Sequence, residues 1–228
     1  MTSERDRMAG VYRDREGMES RYSLKNPGNY FNFKLLLKEL DNSFAEMPTK
    51  RSSIQLLDIG SGELLIPELM IDLGINRSSC LATDILHWRL VEGKKQNRDI
   101  MAVTADSSQM PFESNSFDVV SQFTLLTSVL DDSIRRKIAS EMLRVLKPGG
   151  YILWYDFRYN NPGNPHTRAI GKKELASLFP EQTIDISSVT LIPPLARKVP
   201  VRLIPLLKFL HIIPMLRSHY LALIGPKG

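Results

Sequence analysis

The stretch Ile54–Leu69, IQLLDIGSGELLIPEL, constrains the fold of this chain more than any other. It reads as a short apolar strand, a turn at Gly60 and Gly62, and a run of helical period. Glycines at such a turn let the backbone approach a ligand closely, and the helix that follows offers it free N–H groups. A turn that cradles a dinucleotide usually carries a third glycine. Here Glu63 and Leu64 follow Gly62 instead.

From this turn to Phe157, short apolar runs alternate with amphipathic ones. SCLATDI, DIMAVTAD, SFDVVSQF and YILWYDF read as strands. HWRLVEGKKQN and DDSIRRKIASEMLRVLKPGG read as helices, the second with acids at its start and Lys-Pro-Gly-Gly as its stop. This βαβαβ rhythm predicts an α/β fold with a doubly wound, mostly parallel sheet and helices on both faces. Upstream, YFNFKLLLKELDNSFAEM sets Phe33, Leu36, Leu37, Leu40 and Phe44 on one helical face, with Asn29 as the expected N-cap. Downstream, KKELASLF reads as a helix and QTIDISSVTLI and SHYLALI as strands. A proline-punctuated, apolar and basic insertion at about 193–217 separates those two strands, and its prolines forbid one long helix.

The net charge of +5 is modest, and no block of Lys and Arg interleaved with aromatics stands out, so no nucleic-acid partner is expected. The run Arg135–Lys137 falls in a predicted helix and reads as a solvated face. Cys80, the single cysteine, rules out a disulfide framework within the chain and reads as a buried, inert thiol at a strand start. The charged start MTSERDRMAG does not suit a signal peptide, and no apolar run reaches the length of a spanning helix. The expected location is cytoplasmic. No Cys/His or carboxylate spacing points to a metal.

Three acids sit where a nucleotide-type ligand needs them. Asp84 ends the second strand, where a carboxylate can accept from both ribose hydroxyls. Asp58 stands directly ahead of the glycines, placed to meet an amino group, itself or through water. A dinucleotide pyrophosphate has little use for an anion there, whereas the methionine end of S-adenosylmethionine (SAM) does. Asp106 follows the third strand, placed to accept from an adenine amino group, with the Ser107 N–H beside it for a ring nitrogen. Each residue has a plainer reading: Asp58 as a turn cap, the glycines as a tight connection, Asp84 as a helix N-cap, Asp106 as an Asx-turn. The ordered set favours SAM.

In this order the motifs resemble those of the class I SAM-dependent methyltransferases, the branch with LDIGxGxG, ADxxxLPFxxxSFDVV and EMxRVLKPGGxxL. The resemblance runs from about Gln55 to Asp156. It implies a seven-stranded Rossmann-like sheet whose last strand lies antiparallel between its two neighbours. It implies Asp58, Gly60 and Gly62 at the methionine, Asp84 at the ribose, and Ile85, Asp106 and Ser107 at the adenine. Gln122, at the end of the fourth strand, falls where this family lines the mouth for methyl transfer. Leu64 departs from the pattern, and a side chain there is expected to narrow the pocket. Residues 1–50 are expected to form a helical lid and 51–228 the SAM-binding domain, with Arg21, Tyr22, Tyr30 and Phe31 grouped at the lid.

An acceptor oxygen must lose a proton, so a base is sought at the carboxyl ends of the strands. Asp156 in WYDF is the first choice and His166 in NPHTR the second, while Tyr155 alternates to the other side of its strand. The expected reaction is SAM-dependent methyl transfer to a small-molecule or lipid- or glycan-linked acceptor, at oxygen by preference. The alternatives are a C- or N-methyltransferase on a soluble metabolite, a SAM-binding regulator without catalysis, and, third, a dinucleotide oxidoreductase. Arg202, Lys208 and Arg217 beside apolar runs also predict peripheral contact of 196–216 with the inner face of a membrane, against the plainer reading of a core cover. The sequence leaves the oligomeric state open.

Overall fold

The computed structural model describes residues 4–14 and 23–226. Its strands are β1 (Leu56–Ile59), β2 (Cys80–Asp84), β3 (Met101–Thr104), β4 (Phe117–Phe123), β5 (Leu146–Phe157), β6 (Thr183–Leu191) and β7 (Arg217–Gly225). They form one seven-stranded sheet in the order β3-β2-β1-β4-β5-β7-β6. β1 to β5 pair in parallel, and β7 runs antiparallel between β5 and β6. The doubly wound sheet and its antiparallel last strand are those expected from the sequence.

Strand alternation deals the core to two sides. Leu57, Ile59, Val120, Ile152 and Trp154 face α5 (Asp132–Val145) and α6 (Lys172–Leu178), meeting Ile138, Met142 and Leu175. Leu56, Val119, Leu153 and Tyr155 face α2 (Pro27–Glu46) and α3 (Leu65–Asp72), meeting Leu40, Phe44 and Met70. α4 (His87–Lys94) lies on β2, where Leu90 packs on Ala82. Both faces of the central strands are therefore buried, as a parallel sheet requires.

Three local expectations shift. α2 begins at Pro27, and its N-cap is Asn26, whose side chain accepts from the Gly28 and Asn29 N–H groups. Proline is favoured at a first helical position because its missing N–H would have no intrahelical partner. The Lys-Pro-Gly-Gly segment already belongs to β5, with a register shift between Phe117 and Val119 on β4. Arg135 is buried rather than solvated. Its guanidinium donates to Val129 O, Arg168 O and the Glu174 carboxylate, so the charge is partnered inside.

The insertion breaks at its prolines as expected. α7 (Pro193–Lys198) and α8 (Ile204–Ile212) are separated by a 3-10 turn at Val201–Leu203, and a second one follows at Pro214–Leu216. Leu191, Ala196 and Leu207 form a small core of their own, with Phe31 of α2 packed against it. α7 sits so close to α2 that a Cβ on Gly28 would lie 2.2 Å from Ala196 O.

Leu64 explains the missing third glycine. Its φ is +64°, in the left-handed region where glycine is the natural residue. Its side chain is fully buried against Ala82, Leu90 and Ile100, so it packs beneath α4 instead of narrowing the pocket. Apolar burial holds a backbone strained by roughly 1–2 kcal/mol. Leu64→Ala is expected to cost about 2–5 kcal/mol in urea unfolding. Leu64→Gly is expected to be no less stable than Leu64→Ala, because glycine releases the strain. The ordinary order, alanine above glycine by about 1 kcal/mol, would contradict a strained Leu64.

Candidate active site

The turn after β1 depends on two further left-handed residues, Gly60 at φ +69° and Gly62 at φ +54°. Ser61 N–H donates to Thr83 O at 2.8 Å, which fastens the turn to the end of β2. Asp84 completes the link: one carboxylate oxygen accepts from Gly62 N–H and the other from Leu86 N–H, both at 2.8 Å. A carboxylate has about four acceptor positions, and these bonds use two.

Asp58 is buried at the end of β1, with Ser121 Oγ donating at 2.6 Å and Ser61 Oγ donating to its other oxygen. Burial pushes its carboxyl up to about 7, against the two serine bonds, and the nearby Asp84 adds to the rise. Asp106 is exposed after β3 and accepts from Ser108 N–H, an Asx-turn, while Ser107 beside it is buried. Ile85 is half-buried. The carboxyl ends of β1 and β2 and the loop after β3 thus bring Asp58, Asp84 and Asp106 to one edge of the sheet.

Gln122 and Asp156 lie together on the opposite face. Gln122 is buried; its Oε1 accepts from Leu125 and Leu126 N–H and its Nε2 donates to Asp156 at 3.1 Å. Thr127 Oγ1 donates to the other Asp156 oxygen. Asp156 is fully buried, and burial pushes its carboxyl up to about 7. These bonds shape the loop after β4, where Thr124 has a φ of +58°, unusual for a β-branched residue. His166 is exposed on the next loop, two residues before Arg168, whose N–H donates to Thr127 O. Tyr155 does alternate away from Asp156, and its hydroxyl meets Thr190 Oγ1 at 2.7 Å.

Several residues at this edge escape a reading of the sequence. Arg89 of α4 lies across the turn, so that a Cβ on Gly62 would stand 2.3 Å from its guanidinium. Its charge faces Glu63 at 3.7 Å and Asp84 at 3.8 Å, and it stacks on Tyr12 at 4.0 Å. Tyr12 belongs to α1 (Glu4–Arg13), whose other end is bound to the loop after β4. There Glu4 accepts from Leu130 N–H and Arg7 donates to Ser128 O. α1 therefore spans from that loop to α4. Arg21 and Tyr22 lie outside the described residues, Tyr30 is exposed and Phe31 packs inward. His219 of β7 stacks on Tyr155 at 4.7 Å, Phe123 stacks on the same ring at 5.4 Å, and Phe157 lies 4.2 Å from His219. Burial pushes the His219 imidazole down to about 3. The position of Arg89 within the first turn of α4 was a usable signal. The His219 stack arises from the β5–β7 register, which local spacing does not reveal.

Residues 57–154 match the family described as "Methyltransferase domain". Demethylmenaquinone methyltransferase of Corynebacterium glutamicum is 31% identical over 134 residues, 59% of this chain and 54% of that protein. The ubiquinone/menaquinone biosynthesis C-methyltransferase UbiE of Idiomarina loihiensis is 35% identical over 115 residues, covering 47% and 44%. The chain thus spans about half the length of the curated relatives it matches. Among solved structures, a complex of the Haloferax volcanii Trm112 methyltransferase activator with a methyltransferase aligns over 99% of both chains, with a TM-score of 0.67 and 17% identity. A SAM-dependent methyltransferase from Archaeoglobus fulgidus aligns over 84% of this chain and 93% of that one, with a TM-score of 0.61 and 16% identity. Those two likenesses are of fold.

By this match residues 57–154 form a methyltransferase domain, and the cofactor implied is S-adenosyl-L-methionine. The donor set fits that molecule. Asp58, Asp84 and Asp106 are three carboxyls, and the nearby Arg89 already faces Glu63 and Asp84, a combination poorly suited to a pyrophosphate.

The raised Asp58 carboxyl has a signed consequence. An unfolded aspartate titrates near 3.9, so between about pH 4 and 7 the folded chain holds one more proton at Asp58 than the unfolded chain. Its contribution to stability therefore falls as pH rises through that window, by up to about 1.4 kcal/mol per unit, and levels off above it. Asp156 acts in the same direction. In urea unfolding, Asp58→Asn is expected to gain roughly 2–3 kcal/mol relative to wild type between pH 5 and 7. A gap independent of pH would mean that Asp58 is not forced toward its neutral form.

Proposed function

We propose that this chain is a SAM-dependent methyltransferase that places the methyl group on a ring carbon of a small quinol-type acceptor. The observation that carries the reading is the edge built around Asp84, with Asp58 behind the glycine turn and Asp106 on the loop after β3. Relatives named as demethylmenaquinone and C-methyltransferases favour carbon over the oxygen that the sequence puts first.

In this reading Asp84 accepts from the ribose hydroxyls through its two remaining acceptor positions. Asp58 meets the methionine ammonium, with Gly60 and Gly62 giving the backbone room, and a cation there draws the buried carboxyl into its ionised form. Asp106 and the Ser107 N–H take the adenine edge, and Ile85 packs beside it. When bound, SAM supplies an electrophilic methyl group for an in-line transfer. The chain's own part is largely positioning, which is worth much of the acceleration in such a transfer. Asp156, enclosed by Thr127 and Gln122, holds the loop after β4 in place rather than touching the acceptor. His166, exposed on the following loop, takes the proton of the acceptor's ring hydroxyl. The ring carbon that gains the methyl then loses its own hydrogen as a proton, which restores the aromatic quinol, and S-adenosylhomocysteine is the other product. The residues of 1–50 act as a lid through α1, with Tyr12 and Arg89 as its contact over the turn.

The test is to incubate the full chain with methyl-labelled SAM and demethylmenaquinol, then locate the label by NMR. The expected product carries the label as a ring methyl, and His166→Ala lowers kcat by roughly 10²-fold or more while SAM affinity is retained. A labelled methoxy group, or no transfer despite SAM binding, would overturn the proposal.

A further inference from the structure

The outer face of the insertion is apolar, exposed and cationic. α8 buries Leu207 in the small core, with Leu210 packed against it, yet turns Leu206, Phe209 and Ile212 outward. A helix apolar on every side normally lies inside a protein or a membrane. Here the second apolar side meets solvent: Phe209 and Ile212 are each 68% exposed and Met215 76%. Val201 and Leu203 extend the patch along the chain.

Lys198, Arg202 and Lys208 stand exposed around it. From residue 186 to residue 228 the sequence holds Arg197, Lys198, Arg202, Lys208, Arg217 and Lys227, and no Asp or Glu. Among the described residues no helix is long and apolar enough to cross a membrane. An apolar face ringed by cations, on short helices lying on the fold, has the character of an interfacial element. A second copy of this chain is a poor occupant, because a two-fold contact sets the same cations against each other.

The topology supplies the orientation. β6 is parallel to β5, so its end at Leu191 lies at the edge of the sheet that carries Asp84 and Asp156. The insertion starts from that edge. Arg158, two residues after Asp156, donates through its backbone to Ser218 O and through its guanidinium to Pro214 O at 3.0 Å. The patch and the loop after β5 are therefore fastened together.

We propose that α8 and its flanking 3-10 turns dock this protein on an anionic lipid bilayer, with the carboxyl edge of the sheet turned toward the lipid. An acceptor dissolved in that bilayer then reaches the site without crossing water. Docking does not require any particular acceptor or acceptor atom.

The test is flotation of the full chain with vesicles of phosphatidylcholine mixed with phosphatidylglycerol, and with phosphatidylcholine alone. SAM calorimetry on the same samples reports folding and the cofactor site separately. Wild type is expected to float with the anionic vesicles, to float poorly with the neutral ones, and to be released by salt. The double variant Phe209→Glu/Met215→Glu, altered only at exposed positions, is expected to lose at least about tenfold in vesicle affinity while binding SAM as wild type does. Wild type left in the soluble fraction, or a variant that floats equally well, would overturn the docking. So would sedimentation showing a dimer that this variant dissolves without any flotation of wild type, since the face would then be a subunit interface.

Discussion

Two backbone N–H groups, from Gly62 and Leu86, end on the two oxygens of Asp84, and the geometry of the carboxyl edge depends on that arrangement. β1 and β2 are neighbours in the sheet, but their following loops share no ladder. Asp84 supplies the missing connection with a charged acceptor, for which hydrogen bonds are stronger than between neutral groups. The Ser61 N–H bond to Thr83 O adds a second tie between the same loops. With both in place, Gly62 is held under Arg89, and α1 closes over the pair through Tyr12.

This edge concentrates features that cost stability. Asp58 and Asp156 are buried carboxyls pushed toward their neutral forms, and Leu64 and Thr124 hold left-handed backbones without glycine. Such costs persist only where surrounding packing over-determines the conformation, and they gather at functional sites. The rest of the fold compensates with a core on each face of the sheet, one against α5 and α6 and the other against α2 and α3. Cys80 belongs to the second core, and burial pushes its thiol up to about 12, consistent with an inert role.

The sheet was legible because each strand is a compact apolar run bounded by an amphipathic helix, so period alone separates them. The gathering of Asp58, Asp84 and Asp106 at one edge was legible because they fall at strand ends in fixed order, and a parallel sheet brings such ends together. Less was legible where the outcome rests on a side chain's direction. Leu64 appeared to threaten the pocket, yet a left-handed backbone sends it under α4. Asp156 looked accessible at the end of β5, but Gln122 and Thr127, supplied by β4 and the loop after it, enclose it. The buried Arg135 could not be told from its solvated neighbours by charge alone, because its partners Arg168 and Glu174 are distant in sequence. The insertion's apolar and basic composition pointed to membrane contact, but which side of the short α8 turns outward was not legible, since composition does not say which side meets the core.

The central claim is that Asp84 holds the cofactor as well as the loops. Calorimetric titration of SAM into wild type and Asp84→Ala tests it most directly, with Asp84→Asn as a variant that keeps an acceptor for one loop. Saturable binding by wild type, about 10²-fold weaker or worse in both variants with thermal unfolding still cooperative, is the result predicted. Wild-type affinity in a folded Asp84→Ala, or no SAM binding by wild type at all, would contradict it.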